Sequence, residues 1–176
     1  MSSKIIDVYQ LENSCFLTPI RCANFAEAAA VCFQHCQHSQ PVDIKIEGDF
    51  QKQLKFSFGK VTQQLLDTRD DLEDAVEEGA YCIAMLVVDE LTNLKATKQS
   101  QKRTGIDYFL SKRKSNFAFQ SHARLEVSGI LKGTIGQINQ RLKEKVEQSK
   151  KSDYMNVPAF IVVVEFSRPL VKIVKR

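Results

Sequence analysis

The stretch that decides the fold reads Ala123-Arg124-Leu125-Glu126-Val127-Ser128-Gly129-Ile130. Polar and apolar side chains alternate along it, which predicts a β-strand whose side chains point to opposite faces. Leu125 and Val127 share the apolar face, while Glu126 shares the other face with Arg124 and Ser128. A carboxylate in this setting indicates a functional site. The structural alternative is a cross-strand ion pair of Glu126 with Arg124 or a lysine.

The segments around this stretch predict an α/β fold. A polar helix is expected over residues 135–148, and the apolar run over residues 158–166 is typical of a central strand covered on both faces. Before the stretch, residues 67–91 predict a long helix that begins with acidic residues and is apolar on nearly all sides from Ala80 onward. We therefore expect a central mixed β-sheet flanked by helices, with one of these two helices on each face.

The first 66 residues predict an addition to this core. A helix is expected over residues 25–37 after an N-cap at Asn24, and two alternating segments, 42–47 and 54–58, predict a hairpin. Residues 170–176 are expected to add an edge strand. Because neither a linker nor a repeat divides the chain, we expect a single domain over residues 1–176, with residues 67–176 as its core.

Composition and charge are those of an ordinary globular domain. The formal net charge of +4 is compatible with nucleic-acid binding without requiring it. No apolar stretch approaches the ~20 residues of a membrane-spanning helix, and the N-terminal residues lack the pattern of a signal peptide. The five cysteines follow no disulfide spacing and are expected to be reduced thiols. A cytoplasmic location without a membrane partner is therefore expected.

Two further carboxylates interrupt segments that otherwise look buried. Asp107 lies in the strand-like stretch 104–110, where aspartate is unfavourable and Gly105 permits a close backbone approach. A turn or helix cap is the alternative for Asp107. On the long helix, Glu78 shares a stripe with buried-type residues, but Glu77 lies on a second stripe with Tyr81, so the choice between the two glutamates stays open.

The three carboxylates Glu78, Asp107 and Glu126 predict a metal site. Uncompensated buried carboxylates are costly, and hard oxygen ligands suit Mg²⁺ or Mn²⁺. Such an ion polarises a phosphodiester and lowers the pKa of a bound water. Basic residues near Asp107 and on the following helix predict a phosphate-facing rim, although a solvated surface is the alternative. The residues expected to bind nucleic acid are Lys112, Arg113, Lys114 and Arg141.

The order of helix, two strands, helix and strand, with Asp107 on one strand and Glu126-Val127-Ser128 on the next, resembles the core of the restriction-endonuclease-like PD-(D/E)XK nucleases. The resemblance covers about residues 68–166. It implies hydrolysis of DNA with Mg²⁺ or Mn²⁺, and a role in restriction or defence. It also implies that Asp107, Glu126 and the Val127 carbonyl bind the ion and that Glu78 is the helix glutamate of the family.

The chain departs from the family at Ser128, which stands where a lysine is usual. The serine hydroxyl can hold a water or a phosphate oxygen but carries no charge, so the missing group is expected from Lys132, Gln137 or Arg141. The predicted catalytic residues are Glu78, Asp107, Glu126, Ser128 and Lys132. The alternative is a catalytically inactive member of the fold, a nucleic-acid- or protein-binding module of regulatory or immunity type. A homodimer or a protein partner is compatible with either.

A cysteine–histidine cluster and a single histidine are weaker candidates for functional sites. Cys32, His35, Cys36 and His38 have zinc-binding atoms but lack finger spacing, so Cys32 and Cys36 are interpreted as core residues. His122 precedes the Glu126 strand and could act as a general base, whereas a structural role is the alternative.

Overall fold

The structure is a computed structural model that describes residues 4–112 and 122–176. Eight strands form one mixed sheet, and they are β1 (Ile5–Asp7), β2 (Val42–Gly48), β3 (Lys52–Ser57), β4 (Lys95–Gln99), β5 (Tyr108–Ser111), β6 (Ala123–Ile130), β7 (Ala159–Glu165) and β8 (Leu170–Lys175). The helices are α1 (Pro19–His35), α2 (Gln63–Thr68), α3 (Leu72–Thr92) and α4 (Ile135–Ser149), with 3₁₀ turns at Val8–Asn13 and Lys150–Met155.

The strands lie in the order β1-β3-β2-β8-β7-β6-β5-β4. Strands β4, β5 and β6 are connected as an antiparallel meander. Helix α4 then returns the chain so that β7 lies parallel to β6, with Glu126 opposite Ile161. Every residue of β7 is buried, as expected for a central strand covered on both faces. The expected α/β domain with a central mixed sheet is confirmed.

Helices cover the two faces of the sheet unequally. On one face α3 packs against α1 and the sheet, and their apolar side chains build the large core. On the other face α4 lies over β6 and β7 and contributes only a small cluster of Ile138 with Val163 and Leu170. The α4 face of β6 therefore has room for polar side chains. Within the described residues, no helix is long and apolar enough to cross a membrane.

A glycine sets the distance between β6 and α3. A Cβ at Gly129 would collide with the carbonyl oxygen of Val76 and would lie 3.0 Å from the Ala80 side chain. Strand β6 can therefore approach α3 closely only because this residue lacks a side chain. This close approach fixes the position of the first turns of α3 relative to the end of β6.

Two predicted helix boundaries are wrong. Helix α1 begins at Pro19, because Thr18 caps it and proline suits the first helical position, so Asn24 lies inside the helix. The helix expected over residues 67–91 is divided into α2 and α3. The side chain of Asp71 accepts the Glu73 N–H at 2.9 Å and thereby starts α3 anew.

The edges of the sheet also differ from expectation. The basic and polar composition of residues 92–104 predicts a connection, but this segment contains β4, which is the edge strand beside β5. In contrast, β8 is an internal strand between β2 and β7, because Val171 and Ile173 face the core and their backbone pairs on both sides. The N-terminal strands thus extend the same sheet. The sequence also predicts that the strand around residues 123–130 extends over residues 117–131, and its residues 117–121 lie outside the described part of the chain.

Candidate functional site

The candidate site forms where β6 continues past the start of β5. Asp107 immediately precedes β5, and its N–H donates to the Leu125 carbonyl at 2.8 Å. The backbone pairing of β5 with β6 ends here, before Val127. The Val127 N–H donates instead to the side chain of Asp107, at 2.7 Å from Oδ2. The carboxylate thus replaces a ladder partner, which anchors Asp107 against β6 and opens the sheet beside it.

Glu126 lies opposite Asp107 and is fully buried. Its Oε1 accepts hydrogen bonds from Lys145 Nζ at 2.6 Å and from Gln148 Nε2 at 2.9 Å. Its Oε2 is buried and has no hydrogen-bond partner in the described part of the chain. A buried carboxylate oxygen without a partner is costly, so a proton or a cation is expected at this atom.

The two carboxyl groups are coupled electrostatically. Burial, and next the charge of Asp107, raise the pKa of Glu126 to about 8. Burial also raises the pKa of Asp107, against the opposing effect of its bond from the Val127 N–H. Because like charges resist joint ionisation, the two carboxyl groups titrate as a pair, and the pair keeps its last proton to a higher pH than an isolated carboxyl group would.

The pair lies beside a cavity of about 510 Å³ between α3 and α4. The cavity is acidic on the α3 side and basic on the α4 side. Its lining residues are Glu73, Val76, Glu77, Tyr81, Asp107, Val127, Ser128, Gly129, Arg141 and Lys145. A polar cavity with both charge signs and a carboxyl group of raised pKa has the character of a functional site.

Tyr81 connects α3 to Asp107. Its hydroxyl lies 3.2 Å from Asp107 Oδ1 and 3.2 Å from Glu77 Oε1, and it can donate to only one of them at a time. Burial raises the pKa of Tyr81, so the hydroxyl stays protonated and remains a donor. Glu77 therefore belongs to the site through Tyr81.

Lys145 places a positive charge beside Glu126. The sequence did not single it out, because it lies 19 positions from Glu126 on another element. One turn earlier on α4, Arg141 donates from Nη1 to Ser128 Oγ at 2.9 Å. The sequence feature that could have indicated Lys145 is its four-residue spacing from Arg141, which places both side chains on one face of the helix.

Glu78 is not part of this cavity, and its predicted placement is wrong. It pairs with the guanidinium of Arg69, which also donates to Asn24 Oδ1 at 2.5 Å. This cluster lines a separate cavity near the start of α3. Consecutive residues of an α-helix point about 100° apart, so Glu77 and Tyr81 face the carboxyl pair while Glu78 turns toward Arg69.

Other predicted residues lie elsewhere. Lys132 and Gln137 line a neighbouring cavity, which they share with Arg141. Arg124 binds Asp153 at 3.2 Å, so it does not pair with Glu126. Within residues 4–112 and 122–176, no three acidic, histidine or cysteine side chains are grouped to hold a metal ion, which corrects the expected convergence of three carboxylates.

The remaining predictions have mixed outcomes. Lys112 is exposed and does not line the cavity, and Arg113 and Lys114 lie outside the described residues. Cys32 is buried in the core, as expected. His122 Nδ1 lies 3.0 Å from Ser111 Oγ at the other end of β5. Its place in the fold is therefore remote from the carboxyl pair.

Comparisons of this chain with protein-family models, with curated proteins and with solved structures find no match to it.

Proposed function

We propose that this chain is a Mg²⁺- or Mn²⁺-dependent nuclease-like protein that hydrolyses phosphodiester bonds in DNA. The observation that carries the proposal is the Asp107–Glu126 carboxyl pair, with Lys145 bound to the same glutamate beside an open polar cavity. A role in restriction or defence against foreign DNA is part of the same proposal and depends on its nuclease activity.

The order of elements supports a restriction-endonuclease-like core. Helix α3 is followed by the β4-β5-β6 meander, then by α4 as a crossover, then by β7 parallel to β6. Asp107, immediately before β5, and Glu126, on the neighbouring β6, lie next to each other in this unit, which supports the resemblance. Strands β1, β2, β3 and β8 would then extend the core sheet.

The donor atoms suit a hard divalent cation. Within the described residues, Glu126 Oε2 is buried without a partner, and Asp107 Oδ1 accepts one hydrogen bond, from the Tyr81 hydroxyl at 3.2 Å. Carboxylate oxygens from two neighbouring strands are the ligands that Mg²⁺ and Mn²⁺ prefer. When bound, the ion would polarise the phosphodiester and lower the pKa of a water ligand.

The chain's own residues would provide the other functions of the site. The ammonium group of Lys145 lies beside Glu126, where it would stabilise negative charge on a phosphate. Arg141 is held by Ser128 while its side chain remains 45% exposed, so its free guanidinium nitrogens can bind phosphate oxygens. Tyr81 would orient Asp107 from α3.

The inactive binding module is the second candidate. The observation that favours it is that only two carboxyl groups, those of Asp107 and Glu126, could bind a metal ion directly. Glu77 reaches Asp107 through the Tyr81 hydroxyl, and Glu78 pairs with Arg69. Moreover, Lys145 and Gln148 already compensate one oxygen of Glu126. A scaffold of this kind would bind nucleic acid through its basic α4 side without cleaving it.

A cleavage assay separates the two candidates. Supercoiled and linear DNA would be incubated with the protein in Mg²⁺, Mn²⁺ or EDTA, using wild type, Glu126→Gln, Lys145→Gln and, as the matched control, Glu78→Gln. The proposal predicts metal-dependent cleavage that only the first two substitutions abolish. Unchanged cleavage by Glu126→Gln would contradict the assigned site, and salt-sensitive binding without cleavage would favour the binding module.

A further inference from the structure

A second cavity adjoins the first one along α4. It has a volume of about 360 Å³, and its lining residues are Ile130, Lys132, Gly136, Gln137, Gln140, Arg141 and Glu144. Arg141 lines both cavities and therefore stands between them. We propose that the second cavity is a nucleotide subsite, which holds the base and phosphate next to the phosphate bound beside Asp107 and Glu126. This inference rests on the proposed function.

The geometry of α4 supports a strand that runs along it. Gln137, Arg141 and Lys145 are spaced by four residues, so they form one stripe along the helix. With a rise of 1.5 Å per residue, successive members are about 6 Å apart along the axis. The stripe leads from the second cavity, past Arg141, to the carboxyl pair. A nucleic-acid strand along this stripe would present successive phosphates to successive basic groups.

The charges on the cavity walls favour a nucleic-acid strand along α4 over one along α3. Lys132 is exposed and has no acidic partner within residues 4–112 and 122–176. Among the acidic side chains of those residues, Arg141 contacts only Glu144, at 3.8 Å. On the opposite wall, Glu73 and Glu77 would repel a phosphate. A strand would therefore be attracted to the α4 side of the first cavity and continue into the second.

The second cavity also has features that suit a base. Ile130 supplies an apolar contact, and Gln140 donates to Glu144 at 3.1 Å, which leaves its own carbonyl oxygen as an acceptor. Gly136 leaves the cavity open, because a Cβ there would meet only Thr134 Oγ1, at 3.8 Å. The amide of Gln137 is occupied, since its Oε1 accepts the Thr134 N–H in the N-terminal cap of α4.

Gly136 offers a substitution that fills the cavity without disturbing the fold. It lies in the first turn of α4, where an added Cβ meets no atom closer than 3.8 Å and where other residues have a better helix propensity than glycine. Gly136→Leu should therefore fold as well as wild type while excluding a base. Lys132→Gln removes the proposed phosphate contact. Lys60→Gln makes the same change in charge on an exposed loop after β3, away from both cavities.

The test measures binding of a fluorescein-labelled single-stranded oligodeoxynucleotide by anisotropy, with Ca²⁺ in place of Mg²⁺. A second probe has the same backbone but lacks all bases. We expect Gly136→Leu to weaken binding of the intact strand about tenfold, which is the size of one base contact, and to leave binding of the abasic strand unchanged. Lys132→Gln should weaken both probes, and Lys60→Gln neither.

The outcomes distinguish this inference from the proposed function. Equal binding of both probes by wild type, or wild-type affinity in Gly136→Leu, would overturn the subsite even if Mn²⁺-dependent cleavage is observed. Base-dependent binding that Gly136→Leu abolishes would uphold the subsite even if cleavage is never detected. Absence of binding to either probe would overturn the subsite, whereas the proposed function is decided separately by the cleavage assay.

Discussion

The ammonium nitrogen of Lys145 lies 2.6 Å from Oε1 of Glu126, although 19 positions separate the two residues in the chain. Glu126 is on β6, and Lys145 reaches it from α4, which covers that face of the sheet. Two positions after Glu126, where the resemblance calls for a lysine, the strand carries Ser128. A lysine partner was the structural alternative for Glu126, and Lys145 supplies one from a helix instead of a neighbouring strand. The neighbouring Asp107, and Glu126 Oε2 without a partner in the described residues, are the features that favour more than a structural ion pair.

Substituting Lys145 should abolish activity while leaving the fold intact. In Lys145→Gln the charge beside Glu126 is lost, the pKa of Glu126 rises further, and the neutral carboxyl group remains buried without a large penalty. We expect a loss of stability of about 1–3 kcal/mol and at least a hundredfold loss of DNA cleavage, measured by urea unfolding and by a plasmid assay. Lys145→Arg, which keeps the charge, should retain part of the cleavage. Equal activity of wild type and Lys145→Gln would contradict this role.

The raised pKa of Glu126 predicts that stability falls with rising pH in the absence of metal. Below about pH 4.5 the folded and unfolded chains both hold the proton. Between about 4.5 and about 8 the folded state keeps a proton that the unfolded chain releases, so the free energy of unfolding decreases as the pH rises. Above about 8 this dependence ends.

Glu126→Gln isolates this effect because glutamine resembles the protonated acid and cannot ionise. Relative to this variant, wild type should lose up to about 3.5 kcal/mol of stability between pH 5 and pH 8, measured by urea unfolding in EDTA. A pH dependence identical in the two proteins would show that Glu126 is ionised throughout this range.

The sequence predicted the strands of the site better than its side-chain partners. The alternating segment 123–130 forms β6, and the apolar run 158–166 forms β7. Both patterns could be recognised because each strand's own position in the sheet determines which of its side chains are buried. The polar face of α4 carries several basic residues whose sequence surroundings do not distinguish one from another. Which of them meets Glu126 depends on how α4 lies over β6, a tertiary relationship that helical periodicity does not contain.

The same reasoning applies to the glutamates of α3. Both lie near its acidic start, and the sequence placed them on competing stripes. The close approach of β6 at Gly129 and the pairing of Arg69 with Glu78 decide between them. The family resemblance favoured Glu78, whereas the tertiary contacts place Glu77 at the cavity.

Glu77 and Glu78 should therefore separate activity from stability. Glu78→Gln weakens a partly buried ion pair with Arg69, and we expect a cost of about 1–3 kcal/mol in urea unfolding with little change in cleavage per folded molecule. Among the described residues, exposed Glu77 has a hydrogen bond only with Tyr81, so Glu77→Gln should cost less than about 0.5 kcal/mol. It should instead change cleavage or its metal dependence. The reverse assignment of these two effects would restore Glu78 to the site.

Direct binding of Mn²⁺ tests the central claim, that Asp107 and Glu126 together form a metal site. Isothermal titration calorimetry at pH 8 would compare wild type with Asp107→Asn, Glu126→Gln and the control Glu78→Gln. The account predicts one Mn²⁺ bound per chain in wild type and in Glu78→Gln, and at least a tenfold loss of affinity in each of the other two variants. Absence of Mn²⁺ binding in wild type, or equal affinity in Glu126→Gln, would contradict it.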